Sequence, residues 1–516
     1  MLARIDAGPA RRAQDVMKRH QIPLLLCSAI AIVVSSRVPA LSPCAFVMFI
    51  PALVALEGRP VRAWIGGSTL LWYLVALGAY YWVFHVTHRF GELSAPLAIL
   101  AVLAFGLLNI WQGLAGFGLF RWLSKRLPLP RAVLFALSVT VCWHAIPALF
   151  FWDFALIIRP WRFLLQGIDL AGTFGIDLLI TFTNYAVYEA WRMRRLTIAL
   201  RVALALLIAL LGYGALRTRF LTRTLAAAPQ LRVALLQPNL DSGKKQETRF
   251  IHQSLQQLSL LSDAAMARGA ELLVWPESVF PLDYDQDRRL QQLLTERIAT
   301  WRVPLLFGGN QFTRRAHGGW TSFNAAFLVQ PEQTRAQTYQ KHVLLAFGEY
   351  LPFEDTFPIL RDWFPERVGA YGRGPGPQTF RTRHFALAPV ICYESIVGDY
   401  IRRVATPDAQ FIVEITNDGW YGQTAALDYH KDLTVLRAVE NRIGIARDTN
   451  TGITTFIDPL GREPPPLPLE QQDLLLADVP LARPFSPYRA GGYLLKPVTT
   501  VGLLFLIGWA TIRRKR

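Results

Sequence analysis

The chain has 516 residues with 54 Lys and Arg against 37 Asp and Glu, a formal charge of +17, yet only 18% of its residues are charged. Ordinary soluble proteins carry about 25%. With 52% apolar residues and a mean hydropathy of +0.26, the chain is neither a disordered tail nor a basic polar nucleic-acid binder, and its prolines follow no Gly-x-y period, which excludes collagen.

The charge is unevenly placed. Residues 230–482 hold 25 basic and 29 acidic residues, whereas the remainder holds 29 basic and 8 acidic ones. A near-neutral domain is therefore set in a basic, apolar framework, the composition of a membrane framework. Apolar stretches of about the 20 residues that a bilayer requires fall near 21–38, 41–57, 63–87, 96–120, 132–158, 163–190, 196–216 and 493–512. They predict about eight spans, seven before the domain and one after it. A cleaved signal peptide over 1–38 is the rival reading of the first span, but six more spans follow without needing it.

Basic residues cluster in alternate loops. An inside N-terminus collects Arg4, Arg11, Arg12, Lys18 and Arg19, then Arg59 and Arg62, then Arg121, Lys125, Arg126 and Arg131 on one side. Arg192, Arg194 and Arg195 and the tail Arg513–Arg516 continue the series, while Arg217, Arg219 and Arg223 run against it. The balance predicts cytoplasmic termini and an extracytoplasmic domain. Asp153, Asp169 and Asp177 lie in or near the fifth and sixth spans. Intramembrane carboxylates are functional candidates, although Asp153 also reads as an interface residue beside Trp152, Arg159 and Trp161. The spans display no paired ionisable residues and no repeated broken helices, which disfavours a proton-coupled transporter.

From residue 231 short apolar runs alternate with helical patterns. Strands are expected at 231–237, 271–275, 303–309, 322–330, 334–340, 384–392, 410–416, 443–449, 453–458 and 474–479. Helices are expected at 245–268, 288–299 and 425–441, with a helical turn after Tyr393. This order predicts an α/β layered domain. The domain organisation is then 1–229 for the membrane region, 230–482 for the α/β domain, and 483–516 for a linker, a last span and a basic tail.

Cys27, Cys44 and Cys142 fall in apolar spans, which leaves Cys392 as the domain's single cysteine. A lone thiol in an oxidising compartment is either buried and inert or kept for reactivity. Cys392 ends an apolar run and precedes Tyr393-Glu394-Ser395, a strand-to-helix elbow that can present a thiolate. A nucleophilic thiol needs a base and an oxyanion stabiliser. Among the histidines, His342 and His430 stand in polar contexts, and neither is marked as a partner of Cys392. Glu277, after the strand that Pro276 stops, and Lys341, at the end of another strand, are candidates for the two roles.

These residues stand in recognisable motifs. Val-Trp-Pro-Glu at 274–277, Tyr-x-Lys at 339–341, Phe-Gly-Glu-Tyr-Leu-Pro at 347–352 and Ile-Cys-Tyr-Glu at 391–394 resemble the nitrilase-like carbon–nitrogen hydrolase pattern. With the membrane framework, and with Asn417–Gly422, Arg437–Arg442 and Asn450–Thr454, the chain is similar to the apolipoprotein N-acyltransferase family. The resemblance implies a polytopic α-helical bundle plus an extracytoplasmic αββα sandwich, in a bacterial inner membrane with the catalytic domain on the periplasmic side. It assigns Glu277 as general base, Lys341 as oxyanion stabiliser and Cys392 as nucleophile, with Glu349, Tyr393 and Glu394 supporting them. The implied reaction is ping-pong: a phospholipid donates its acyl group to Cys392 as a thioester, and the amine of a diacylglyceryl-modified apolipoprotein receives it. The implied protein is a monomer working with membrane lipid, without cofactor, metal or nucleic acid. Two departures stand out. Lys244-Lys245-Gln246 occupies the region where the family often has a tryptophan, and Tyr421 stands where Phe is common. Apolar residues between 345 and 372 (Leu345, Phe347, Tyr350, Leu351, Phe353, Phe357, Leu360, Trp363 and Phe364) read either as a lid or membrane-dipping element or as ordinary loop anchors. The rival functions are a membrane-tethered amidase that passes its acyl group to water and a polytopic receptor whose domain only binds.

Overall fold

The structure is a computed structural model that describes residues 21–240, 248–278, 280–314, 319–331, 333, 335–354, 356–363 and 369–513. The basic residues before position 21, Lys244–Gln246, Phe364 and Arg514–Arg516 lie outside the described residues. The chain forms two compact units, one of Met1–Leu216 with Ala490–Arg516 and one of Arg217–Arg489.

The first unit is helical. Among the described residues, the helices Ala95–Ser124, Ile168–Met193, Ile198–Ala227 and Gly492–Ile512 are long and apolar enough to cross a membrane. Two bent pairs, Pro39–Phe46 with Ile50–Leu56 and Val61–Ala79 with Val83–Phe90, raise the number to six if each is one span. Gln21–Ser35 and Arg131–Ala145 are 15-residue apolar helices, about 22 Å at 1.5 Å per residue against about 30 Å of hydrocarbon. The expected 132–158 span thus divides: its helix stops at Ala145, Ile146 is extended before Pro147, and a 3-10 turn follows at Phe154–Ile158. A residue before proline is pushed out of the helical region, which hydropathy alone does not register. The expected 163–190 span is broken too, at Ala171 and Gly172, where Gly172 has φ +70°.

The bundle also pairs ionisable side chains that the sequence left apart. His144 Nε2 lies 2.9 Å from Asp177 Oδ2, and the Ala155 N–H donates to Asp177 Oδ1 at 2.7 Å. The Tyr213 hydroxyl donates to Asp169 Oδ1 at 2.7 Å. Asp169 and Asp177 are fully buried, so these bonds offset the desolvation of their carboxyl groups.

The second unit is an α/β sandwich. Its strands are β1 (Gln230–Gln237), β2 (Leu272–Val274), β3 (Phe280–Asp283), β4 (Leu305–Arg314), β5 (Trp320–Val329), β6 (Gln337–Gln340), β7 (Phe380–Arg381), β8 (Ala386–Ile391), β9 (Phe411–Thr416), β10 (Gly444–Thr449), β11 (Thr455–Ile457) and β12 (Asp473–Pro480). One sheet has the order β12-β1-β2-β4-β5-β6, with β3 beside β4, and the other has the order β11-β10-β9-β8-β7. In the first sheet β1, β2 and β4 run parallel, and in the second β8, β9 and β10 do. The main helices are α1 (Thr248–Met266), α2 (Arg288–Trp301), α3 (Gly398–Val404) and α4 (Ala425–Asn441).

Strand alternation builds the layers. Val233 and Leu235 of β1 join Leu306, Leu387, Phe411, Val413 and Ile415 in a core between the sheets. Ala234 and Leu236 point the other way, with Leu305 and Phe307, against Leu258 of α1 and Leu290, Leu294 and Ile298 of α2. Val390 and Ile412 likewise meet Tyr400 and Ile401 of α3 and Val435 and Ala438 of α4. Each buried Leu, Ile or Val contributes about 1.5–3 kcal/mol, so three apolar layers fix which strand ends come together. The ten expected strands are all present, whereas β3 and β7 were not read from the sequence. Strands of four and two residues are too short to establish an alternation.

Candidate active site

The parallel strands place their C-terminal ends on one side, and the predicted residues lie at those ends. After β2, Trp275 still holds the ladder through its N–H to Leu306 O at 2.8 Å. Pro276 carries no donor and ends the strand, so Glu277 emerges at its mouth, 7% exposed. Gly308 of β4 lies directly beneath: a Cβ there would sit 2.7 Å from Glu277 Cα and 2.8 Å from Ser278 N. A glycine is required for that close approach.

Lys341 leaves β6 with its N–H donating to Asn324 O at 2.8 Å. The residue is 1% exposed, and its ammonium donates to Glu349 Oε1 at 2.8 Å. The Asn324 amide bridges the carboxylates, donating from Nδ2 to Glu277 Oε1 at 2.7 Å and to Glu349 Oε1 at 3.1 Å. The Leu345 N–H holds Glu349 Oε2 at 2.9 Å. Burial by itself would lower the Lys341 pKa, but Glu349, Cys392, Glu277 and Glu394 together raise it, so the lysine stays a cation.

Cys392 follows β8 with φ +53°, in the left-handed region. A non-glycine residue held there costs about 1–3 kcal/mol and persists only where its surroundings impose it. Glu394 imposes it. This fully buried carboxylate accepts the Ile391 N–H at 2.9 Å on one side of the elbow. It also accepts the His342 N–H at 2.7 Å, the Val343 N–H at 2.9 Å and the Tyr339 hydroxyl at 2.7 Å. Glu394 therefore ties the cysteine elbow to the chain that carries Lys341. Tyr393 is buried, and burial, with the neighbouring Tyr350, holds its hydroxyl in the neutral form. The Cys392 thiol is pushed above the usual range by burial and by Glu277; Lys341 pulls it down, Asp418 pushes it up, and a hydrogen bond with Thr416 lowers it.

Behind the cysteine, the second sheet seals a set of charges. Arg447 of β10 pairs with Glu414 of β9 and donates to Asp418 Oδ2 at 2.5 Å. His430 Nδ1 lies 2.9 Å from Asp418 Oδ1, and its Nε2 lies 3.3 Å from Ser395 Oγ. Burial would raise the Asp418 pKa, but Arg447 and His430 hold its carboxyl far below the usual carboxylate range. The two histidines in polar contexts are thus engaged elsewhere: His430 with Asp418 and Ser395, and His342 with Gly374 O at 2.6 Å.

Glu277, Lys341, Glu349 and Cys392 are brought together, and Glu394 acts from behind as a tie. Asn324 was missed, although a polar residue interrupting the apolar run Phe323–Phe327 was a visible signal. Arg447, Glu414 and Thr416 were missed too, being polar residues on strands whose texture reads as apolar core. In the 345–372 loop, Phe347, Phe353 and Phe357 are 49%, 75% and 56% exposed, whereas Leu351 is buried.

Comparisons with known proteins show the family. The carbon–nitrogen hydrolase family model matches residues 232–484, and the model of the apolipoprotein N-acyltransferase N-terminal domain matches residues 28–186. The apolipoprotein N-acyltransferase of Bradyrhizobium diazoefficiens is 30% identical over 77% of this chain and 76% of its own. The chain belongs to the apolipoprotein N-acyltransferase family. The Chlorobaculum tepidum relative of the same name is 28% identical over 92% of this chain and 93% of its own. Among solved structures, an amidase from Nesterenkonia sp. AN1 is 20% identical, covering 50% of this chain and 93% of its own, with a TM-score of 0.37. The chain is an acyltransferase enzyme with a nitrilase-like α/β domain and a set of apolar helices.

Proposed function

We propose that the enzyme transfers a fatty acyl group from a membrane phospholipid to the N-terminal amine of a diacylglyceryl-modified apolipoprotein. Cys392 attacks the sn-1 ester carbonyl, its thiol proton passing to Glu277. The carbonyl re-forms as the lysophospholipid oxygen departs, taking from Glu277 the proton that came from the thiol, and leaves a Cys392 thioester. The apolipoprotein amine then attacks the thioester, Glu277 accepts its proton, and the Cys392 thiolate leaves as the amide forms and takes that proton back from Glu277. Lys341 faces the negative oxygen of both tetrahedral intermediates. The reading is carried by the convergence of Glu277, Lys341 and a positive-φ cysteine at adjoining strand ends.

In this reading the thiol rests neutral. Burial and Glu277 favour S–H over S⁻, so the thiol is protected until an ester displaces water and Glu277 can take the proton. Glu349 and Asn324 hold Lys341 and Glu277 at a fixed separation, and Tyr393 and Glu394 support the elbow. Exposed Phe347, Phe353 and Phe357 offer acyl chains an apolar surface. We assign residues 230–482 as the catalytic domain, and 1–229 with 483–516 as the membrane framework of about eight spans. The basic loops support cytoplasmic termini and a periplasmic catalytic domain in an inner membrane, with the protein acting as a monomer and without nucleic acid.

The test is direct. Purified full-length protein is incubated with a clickable-acyl phospholipid and then with a diacylated lipopeptide. Hydroxylamine-labile label should form on Cys392 and pass to the peptide amine. Label that survives Cys392→Ala would remove the nucleophile assignment, and label released only to water would make the enzyme a hydrolase. A reporter fused after Arg516 should behave as cytoplasmic, and a periplasmic signal would overturn the topology.

A further inference from the structure

The register of the second sheet brings one more side chain to the nucleophile. β8 and β9 are parallel with Ile391 opposite Ile415, so the next step along both strands sets Cys392 beside Thr416. Thr416 is fully buried. Its hydroxyl lies 3.2 Å from Asp418 Oδ1 and is hydrogen-bonded to the Cys392 sulfur. A hydroxyl has a single hydrogen to donate. It cannot serve Asp418 and a thiolate at once.

Asp418 does not depend on that hydrogen. His430 Nδ1 lies 2.9 Å from its Oδ1, and Arg447 donates to its Oδ2 at 2.5 Å. If Thr416 turns away, the carboxylate keeps one partner on each oxygen, and no buried acceptor is stranded. While Cys392 is protonated, Thr416 can accept from S–H and donate to Asp418. Once the sulfur is an anion, the same hydroxyl gains more by donating to it, because hydrogen bonds to charged groups are the stronger ones. The threonine adds no charge of its own and moves only one torsion.

We propose that Thr416 is a catalytic residue, a switchable donor whose hydroxyl turns from Asp418 to the Cys392 sulfur when Glu277 removes the thiol proton. The proton itself goes to Glu277; Thr416 only reorients its hydrogen bond, in the attack of the thiolate and again when the thiolate leaves. The inference rests on the reading of Cys392 as nucleophile. The charged and titratable groups acting on that sulfur are Glu277, Lys341, Asp418, Tyr421 and Arg447; substitution at 416 leaves all five in the chain and takes from Asp418 only the hydroxyl contact, its bonds to His430 and Arg447 remaining.

The experiment compares Thr416→Val, which removes the hydroxyl at nearly constant shape, with Thr416→Ser, which keeps it, in the full-length protein. Iodoacetamide alkylation of Cys392 is followed against pH, and acyl-enzyme formation is followed with the clickable phospholipid. T416V should move the alkylation profile up by about one pH unit and slow acyl-enzyme formation about tenfold, the loss of one hydrogen bond to an anion. T416S should stay near wild type in both. A T416V profile that overlays wild type, or T416S behaving as T416V, overturns the proposal. If T416V loses its cooperative thermal transition, T416A supplies the comparison. A third reading uses the wild-type chain: the infrared S–H stretch that disappears in Cys392→Ala should lie at the frequency of a hydrogen-bonded thiol, and a free-thiol frequency counts against the inference. Failure here leaves the label on Cys392 intact, whereas failure of the nucleophile assignment removes that label's dependence on Cys392.

Discussion

The two sheets contribute opposite kinds of chemistry to one site. The first brings Glu277, Asn324, Lys341 and Glu349, a hydrogen-bonded row of opposite charges at the strand ends. The second brings a neutral thiol at its strand ends and keeps its charges, Arg447, Glu414 and Asp418, sealed at 0% side-chain exposure behind it. The first wall can meet changing charge on a substrate. The second holds Arg447 between Glu414 and Asp418 out of contact with solvent and sets the Cys392 thiol and the Thr416 hydroxyl side by side at its strand ends. Burial and Glu277 favour the protonated thiol, and in the proposed reaction Cys392 has Glu277 as its base and Lys341 as its cation.

Removing one wall's reacting group has the largest expected effect. Cys392→Ala should abolish the thioester and all transfer. Glu277→Gln should lower acyl transfer about 10²–10⁴-fold, and it carries a diagnostic sign. Glu277 raises the thiol pKa, so deleting its charge should make Cys392 alkylate faster at a given pH while transfer collapses. In wild type the alkylation rate should still be climbing above about pH 8.5, where an ordinary cysteine is already half ionised; a plateau at neutral pH would contradict a sealed neutral thiol. Lys341→Met should cost about 10²–10³ in acyl-enzyme formation and shift alkylation the other way, to higher pH.

The tie between the walls comes next. Glu394→Ala strands three backbone N–H groups and leaves the Tyr339 hydroxyl with Tyr400 alone. It should destabilise the domain by about 3 kcal/mol, measured by denaturation in detergent, with loss of transfer even where folding survives. Smallest is Gly308→Ala. The added Cβ would meet Glu277 Cα at 2.7 Å, so about 1–3 kcal/mol of strain should appear as displaced Glu277 chemistry. Unchanged transfer would mean that the close approach under Glu277 is not needed.

Legibility followed the same division. Glu277, Lys341 and Cys392 each stand at a strand end, which made them candidates, and the motifs around them supplied their roles. Glu349 was carried by its motif and not by any spacing. Asn324 stands in an apolar run, where only its polarity marks it, and Thr416 closes the strand Phe411–Thr416 as one more β-branched residue. In the membrane unit, hydropathy found the apolar segments but not their breaks: the kink at Gly172 and the stop before Pro147 are backbone events inside uniformly apolar stretches. The pairing of His144 with Asp177 joins residues on different helices, which no window along the chain connects.

The sequence by itself determined that an apolar framework and an α/β domain differ in composition, the order of the strands, and which side chains end them, because periodicity and strand-breaking residues are local properties of the chain. It also determined that one thiol stands alone outside the apolar segments. Only the tertiary structure decided what surrounds that thiol. The register of β8 against β9, the left-handed turn at Cys392 and the sealed ions behind Thr416 depend on the packing of two sheets against each other, and the electrostatics of a buried group are set by neighbours distant in the chain.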